Sequence, residues 1–120
     1  NIWGGGPLDG VESYSISANA WIGVDPMAVS RGLHTATSLP EHNLLVAAGG
    51  EGVNQLDLGG VELLELQTDT WVTGHSLGVP RAYHTATHLG NGRTLIAGGR
   101  SGSAQTRNAV IYVVERRSAP

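Results

Sequence analysis

A nine-residue run recurs after 50 positions, almost letter for letter, in this chain of 120 residues. Residues 31–39 read RGLHTATSL and residues 81–89 read RAYHTATHL, and Trp21 recurs as Trp71 at the same spacing. A period near 50 residues is typical of proteins in which each structural unit buries its apolar face against its neighbours. A residue that recurs once per unit therefore serves the architecture first. A residue that breaks the repeat is the stronger functional candidate.

The composition limits the fold class and the possible partners. Gly contributes 18 residues and only 14% of the residues are charged, while short β-branched runs alternate with turn residues. This pattern predicts an all-β protein. The net charge is −3 and there is no basic stripe, so we expect no nucleic-acid partner. No apolar run approaches 20 residues, so we expect no membrane span. The absence of Cys excludes disulfides and thiolate metal sites.

The unit of residues 31–79 contains four short runs with strand character, separated by turn residues. They cover residues 34–39, 44–48, 61–66 and the segment that opens at Trp71. Four short strands in a unit of about 50 residues are the pattern of a propeller blade.

Parts of the same unit precede and follow this one. Residues 80–120 predict strands over 83–89, 94–97 and 109–115, and residues 1–30 predict a strand ending at Gly6, a strand over 11–17 and another from Trp21. The sequence therefore predicts about two and a half blades: a partial blade at 1–30, a complete blade at 31–79 and a partial blade at 80–120.

Several spaced positions carry a family resemblance. Double glycines close the second predicted strands, a Trp opens each fourth strand, and an Arg and a His lead into each first strand. These positions are Gly49, Gly50, Gly98, Gly99, Trp21, Trp71, His34 and His84, with Arg31 and Arg81. The arrangement resembles the kelch repeat, in its bacterial form, over nearly the whole chain. The resemblance implies a β-propeller of four-stranded antiparallel blades, in which these glycines, tryptophans and histidines are structural. The third strands of the family carry a Glu-x-Tyr-like element, which is Glu12-Ser13-Tyr14 here. The departures are Leu64 in place of that Tyr in the next copy, an extra Ala48 before Gly49, and no Trp in the third copy.

The number of blades raises the question of ring closure. Kelch propellers have roughly six or seven blades, and two and a half blades do not close a ring. We expect the chain to be the C-terminal fragment of a larger propeller, whose other blades come from the same parent protein. The alternative is that additional chains complete the ring by assembly.

The histidines do not predict a metal site. His34 and His84 occupy equivalent positions, so local hydrogen bonding in each blade is their simplest role. His84 and His88 share a face of one predicted strand but lie ~13 Å apart, which is too far for one metal ion. We expect neither a metal nor a cofactor.

The binding candidates are polar residues in the loops between second and third strands and in the connections before first strands. Loops on a rigid scaffold concentrate function, and these two loops also differ in charge sign. The candidates are Arg31, Arg81, Glu51, Asn54, Gln55, Asp57, Arg100, Ser101, Gln105 and Arg107. For Arg31 and Arg81 the alternative is pairing between blades and support of the loops.

Three function classes remain open. The first is a kelch-type module that binds a protein or a glycan through these loops. The second is a structural subunit that completes a propeller with other chains. The third, implied by the resemblance alone, is part of a galactose-oxidase-like or sugar-epimerase enzyme; without Cys, this segment does not supply the Cys–Tyr crosslink of the oxidases. The compartment stays open, with a secreted or cell-surface bacterial location as one alternative.

Overall fold

The chain forms antiparallel β-structure throughout residues 6–114, the part described by a computed structural model. The strands are β1 (Val11–Ser15), β2 (Ala20–Val24), β3 (Thr35–Leu39), β4 (Leu44–Ala48), β5 (Val61–Glu65), β6 (Thr70–Thr73), β7 (Thr85–Gly90), β8 (Arg93–Ala97), β9 (Arg100–Ser101), β10 (Ala104–Gln105) and β11 (Ala109–Val113). Two short 3₁₀ turns, Pro40–His42 and Val53–Gln55, are the other regular elements of this range. The predicted all-β class is confirmed. Nothing in residues 6–114 forms a helix with the length and apolarity needed to cross a membrane.

The central sheet has four antiparallel strands in the order β3-β4-β5-β6. Each strand pairs with the next one along the chain, so the sheet is an up-and-down meander. The turn from β3 to β4 closes at Asn43, whose φ of 52° lies in the left-handed region that asparagine tolerates. All four strands predicted for this part of the chain are present, with ends that differ by at most one residue.

Smaller sheets precede and follow the central one. β1 and β2 form a hairpin, and β7, β8 and β11 form a sheet in the order β11-β8-β7. The loop between β8 and β11 contains the short β9–β10 hairpin, where the sequence predicted only a loop. The strand predicted to end at Gly6 and the end of the strand predicted over 109–115 fall largely outside the described residues.

The hydrophobic core lies between the four-stranded and the three-stranded sheets. It consists of Leu39, Val46, Ala48, Val61, Leu77, Ile96 and Tyr112, each at most 8% exposed. The first strands of the two sheets, β3 and β7, lie side by side. Burial of a large apolar side chain of this kind stabilises the folded state by roughly 1.5–3 kcal/mol. The contact between the sheets is therefore the main source of stability in this part of the chain.

Strand pairing aligns β4 with β8 differently from a direct comparison of the two repeated sequences. Ala48 and Ala97 each occupy the position next to a double glycine, opposite the first residue of the following strand. Ala48, which the sequence comparison gave as an extra residue before Gly49, is therefore not an insertion, and residues 46–48 correspond to residues 95–97. The one-residue difference lies in the turn before β8, where the pairing register shifts. Because a slip of one residue turns side chains to the opposite face, this shift brings Ile96 into the core.

Candidate functional site

All ten predicted binding residues lie at one end of the sheets, which we call the loop face, and eight of them belong to its two loops. The loop face comprises the β4–β5 loop (residues 49–60), the β8–β11 loop (residues 98–108) and the residues just before β3 and β7. In a meander, alternate connections emerge at the same end, so these segments meet. The eight residues are Glu51, Asn54, Gln55 and Asp57 from the first loop and Arg100, Ser101, Gln105 and Arg107 from the second.

Arg100 joins the two loops by bridging two carboxylates. Its Nη2 donates to Oε2 of Glu51 at 2.8 Å and to Oδ1 of Asp57 at 3.0 Å. The other oxygen of Asp57 accepts the backbone N–H of Gly102 at 2.6 Å. Hydrogen bonds to Asp57 and then to Glu51 raise the pKa of the Arg100 guanidinium above its ordinary value. The opposite charges of the two loops therefore hold the loops against each other.

The other loop residues are more accessible. Asn54, Gln55, Gln105 and Arg107 are exposed, and Ser101 is half-buried. Asn54 and Gln55 have φ values of 62° and 60°, which are uncommon for residues other than glycine. Side-chain amides both donate and accept hydrogen bonds. These residues provide the uncharged hydrogen-bonding groups of the loop face.

Two further residues of the loop face, Leu33 and Tyr83, were not predicted. Their side chains are 44% and 61% exposed, and both have left-handed φ values, 55° and 57°. The backbone N–H of Tyr83 donates to the carbonyl oxygen of Leu33 at 3.1 Å. The guanidinium carbon of Arg100 lies 5.1 Å from the centroid of the Tyr83 ring, a cation–π geometry. The sequence did contain a signal, because this position differs between the two otherwise similar nine-residue runs.

Arg31 lies inside the protein, with an exposed fraction of 3%. Its Nη1 donates to the carbonyl oxygens of Gly49 at 2.8 Å and Gly60 at 3.2 Å. Its Nη2 donates to Oε2 of Glu62 at 2.9 Å. The guanidinium group thus neutralises a buried carboxylate and caps the backbone at both ends of the β4–β5 loop.

Arg81 makes the corresponding contacts one unit later and is fully buried. Its Nη1 donates to the carbonyl oxygens of Gly98 at 3.2 Å and Asn108 at 2.9 Å. Val110 stands where the previous unit has Glu62, and the side-chain carbonyl of Asn108 accepts from Nη2 instead. Burial lowers the pKa of Arg81. Both guanidinium groups are buried, and their contacts are those of loop support, the alternative role given for them in the sequence analysis.

Of the two repeat-equivalent histidines, His84 is buried and His34 is half-buried. Nε2 of His84 lies 2.9 Å from Oγ1 of Thr35, in the neighbouring sheet. Burial, and then the charge of the nearby arginine, lowers the pKa of both His34 and His84. Both rings are therefore neutral at pH 7. No three His, Cys, Asp or Glu residues between positions 6 and 114 are grouped so that they would hold a metal ion.

A second polar contact joins the sheets at the opposite end. The carboxylate of Glu41 lies 2.9 Å from Nε2 of His88 and accepts the backbone N–H of Gly92 at 3.0 Å. The hydrogen bond from Gly92, followed by that from His88, lowers the pKa of Glu41 from 4.5 to about 2. Because the folded state binds this proton less readily than the unfolded state, the contact stabilises the fold above pH 4.5. That contribution is lost as the pH falls from there towards 2.

We therefore expect the Glu41→Gln variant to lose less stability than the wild type on acidification from pH 5 to about pH 2. The measurement is the urea midpoint of unfolding at a series of pH values. Glu65→Gln is the control, because the Glu65 carboxylate is exposed and, among the groups of residues 6–114, accepts a hydrogen bond only from nearby Thr68. Parallel pH profiles for Glu41→Gln and wild type would contradict the expectation.

No family model matches this chain, and no curated protein matches it at a significant level. The functional assignment consequently depends on the residues of the loop face and on the repeat.

Proposed function

We propose that this chain is part of a kelch-type β-propeller that binds a protein or a glycan through its loop face. The fold part of the proposal is supported by the repetition of structure. β3, β4 and β5 recur in order as β7, β8 and β11, and the two first strands are neighbours. A buried arginine supports the double glycine in both units. Sheets arranged around adjacent first strands are characteristic of propeller blades.

The observation that carries the binding proposal is the geometry around Tyr83. Its ring is 61% exposed although it is backed by Arg100. Arg100 is in turn held by Glu51 and Asp57 from the neighbouring loop. An aromatic ring loses little conformational freedom on binding when its support is already rigid. Tyr83 is therefore a pre-organised contact on the loop face.

The surrounding groups suit a polar ligand that also has an apolar surface. Tyr83 and Leu33 offer apolar contact, and Asn54, Gln55 and Gln105 offer amide groups. Aromatic rings with a polar tip are enriched in binding interfaces for this reason. Sugars and the polar side chains of proteins both fit this combination. The partner is consequently a glycan or a protein with a mixed polar and apolar epitope.

The binding test uses Tyr83→Ala. The immobilised chain is screened against an oligosaccharide array and a displayed peptide library, and the affinity of each hit is then measured for the variants. We expect Tyr83→Ala to weaken binding of a true ligand at least about tenfold, because exposed aromatic anchors dominate interface energy. Arg100→Ala should weaken it as well, since the tyrosine and both loops lose their common support.

The matched control is Gln67→Ala, an exposed residue in the turn between β5 and β6 at the opposite end of the sheet. Its affinity should equal that of wild type. Hits that bind Tyr83→Ala normally but are lost with Gln67→Ala would overturn the proposal. The two screens separate a glycan partner from a protein partner.

A second candidate function is a structural subunit that assembles with other chains. The β1–β2 hairpin favours it, because Ile16, Trp21 and Ile22 are 87%, 66% and 51% exposed. Large apolar side chains exposed on both faces of a hairpin mark interaction surfaces. Native mass compared with the mass of the denatured polypeptide tests this candidate. A native particle that is a multiple of the polypeptide supports assembly, and a monomer opposes self-assembly.

A further inference from the structure

The β1–β2 hairpin carries the same structural positions as the β5–β6 edge of the central sheet. Trp21 pairs with Tyr14 across the hairpin, just as Trp71 pairs with Leu64 across β5 and β6. Two residues before Tyr14 the strand has Glu12, and two residues before Leu64 it has Glu62. Since side chains alternate across a strand, each glutamate shares a face with the residue two positions later. The two faces are thus built from the same parts.

In the central sheet, one short segment of the chain covers this face. The carboxylate of Glu62 accepts the backbone N–H groups of Ala28 at 2.7 Å and Val29 at 3.1 Å, and Nη2 of Arg31 at 2.9 Å. Nε1 of Trp71 donates to the carbonyl oxygen of Asp25 at 2.7 Å. Residues 25–31 therefore satisfy the carboxylate and the indole together, and Glu62 is 4% exposed.

The corresponding face of the hairpin is open. Trp21 and Tyr14 are 66% and 45% exposed, and Glu12 is exposed as well. The two rings contact each other in an edge-to-face geometry with centroids 5.3 Å apart. Within residues 6–114, no group donates a hydrogen bond to the Glu12 carboxylate in the way that residues 28–31 do to Glu62. The hairpin therefore presents a carboxylate acceptor, Glu12, and an indole donor, Trp21. In the next unit, residues 25–31 bind the equivalent groups of Glu62 and Trp71.

The covering segments of the two later units share a sequence pattern. Residues 27–31 read MAVSR and residues 77–81 read LGVPR. The first residue of each, Met27 or Leu77, is buried, with 7% and 6% exposed. Each segment then has a valine two positions later and an arginine four positions later, and that arginine is Arg31 or Arg81. The shared pattern is an apolar residue, any residue, Val, any residue and Arg.

We infer that the face of the β1–β2 hairpin formed by Glu12, Tyr14 and Trp21 binds a peptide segment that has this pattern and lies outside residues 6–114. The arginine of the segment pairs with the Glu12 carboxylate, and backbone N–H groups of the segment donate further hydrogen bonds to that carboxylate. A backbone carbonyl oxygen of the segment accepts a hydrogen bond from Nε1 of Trp21. A guanidinium–carboxylate pair with added backbone donors is a strong, charge-assisted set of hydrogen bonds. The inference requires only the equivalence of the two faces and is independent of ligand binding at the loop face.

The test is a titration of the ¹⁵N-labelled full chain with an N-acetylated, C-amidated peptide that copies residues 24–32, VDPMAVSRG. The expected result is saturable movement of the Trp21 indole N–H signal and of the Glu12 amide signal. Replacing the peptide arginine with glutamine, or introducing Glu12→Gln, should each weaken binding at least about tenfold. If the peptide arginine and Glu12 pair directly, replacing both weakens binding little more than replacing either one, so the two losses of binding free energy are not additive.

Glu65→Gln is the matched control in the protein, and binding to it should equal binding to wild type. Three results would overturn the inference: no signal movement at millimolar peptide, equal binding of the arginine-to-glutamine peptide, or movement confined to the loop face. Tyr83→Ala separates this site from the loop-face proposal. That variant should bind the peptide normally, whatever its effect on a loop-face ligand.

Discussion

Replacing Arg31 with Met is expected to lower the free energy of unfolding by about 3–5 kcal/mol, the usual cost of breaking a buried ion pair from one side. The variant leaves buried oxygen atoms without the hydrogen-bond donor that Arg31 supplies. Glu62 is 4% exposed, so its carboxylate loses its counter-charge in a site that water does not reach. The carbonyl oxygens of Gly49 and Gly60 also lose their donor. A protein of ordinary stability, about 5–15 kcal/mol, is left close to unfolding.

The measurement is urea unfolding followed by circular dichroism. Arg93→Met, at an exposed position, is the control and should change stability by no more than about 0.5 kcal/mol. Arg81→Met is the second variant to compare with Arg31→Met. Because Val110 stands where the previous unit has Glu62, this variant leaves no buried carboxylate without a counter-charge. Its cost should therefore be smaller, about 1–3 kcal/mol for unpaired carbonyl groups. An Arg31→Met variant as stable as Arg93→Met would show that the buried pair does not support the fold.

The second large effect concerns the double glycines. Gly49 and Gly98 occupy the same repeat position and have similar φ values, +63° and +68°. A Cβ at Gly49 would lie 2.6 Å from the carbonyl oxygen of Arg81 and 2.9 Å from Cε1 of His84, whereas at Gly98 the nearest atom, the carbonyl oxygen of Thr106, is 3.8 Å away. We expect Gly49→Ala to cost about 4 kcal/mol and Gly98→Ala about 1.5 kcal/mol.

This pair of variants isolates the contact between sheets. Both alanines carry the same left-handed backbone strain, so the difference in stability measures the clash with the segment that leads into β7. Thermal or urea unfolding of the two variants beside wild type provides the comparison. Equal losses for the two variants would mean that β4 and the residues before β7 do not pack as closely as the structure indicates.

Much of the fold was predictable because its determinants are local. The short apolar runs and the turns between them specify strands through residues that are neighbours in sequence. The register of β8 was not predictable from the sequence, because the equivalence of Ala48 and Ala97 is seen only from the residues they pair with on the following strands. The β9–β10 hairpin was missed because each of its strands is only two residues long and gives no periodicity.

The candidate site was also predictable only in part. Loop variability identified Glu51, Asp57 and Arg100 as noteworthy, but the sequence did not reveal that they bind one another. Tyr83 was overlooked because it lies within a run that is otherwise repeated. The structure draws attention to it through exposure, a left-handed φ and the adjacent guanidinium.

The sequence by itself determined the all-β class, the unit of about 50 residues and the positions of the strands, since strand and turn formation depends on short runs of residues. The tertiary structure decided which charged residues are internal and which are accessible. Arg31 and Arg100 are both arginines beside loops, yet one is 3% exposed and the other lies at the surface beside Tyr83. That difference depends on which carbonyl and carboxylate oxygens the folded sheets bring within about 3 Å, and those oxygens belong to residues distant in sequence.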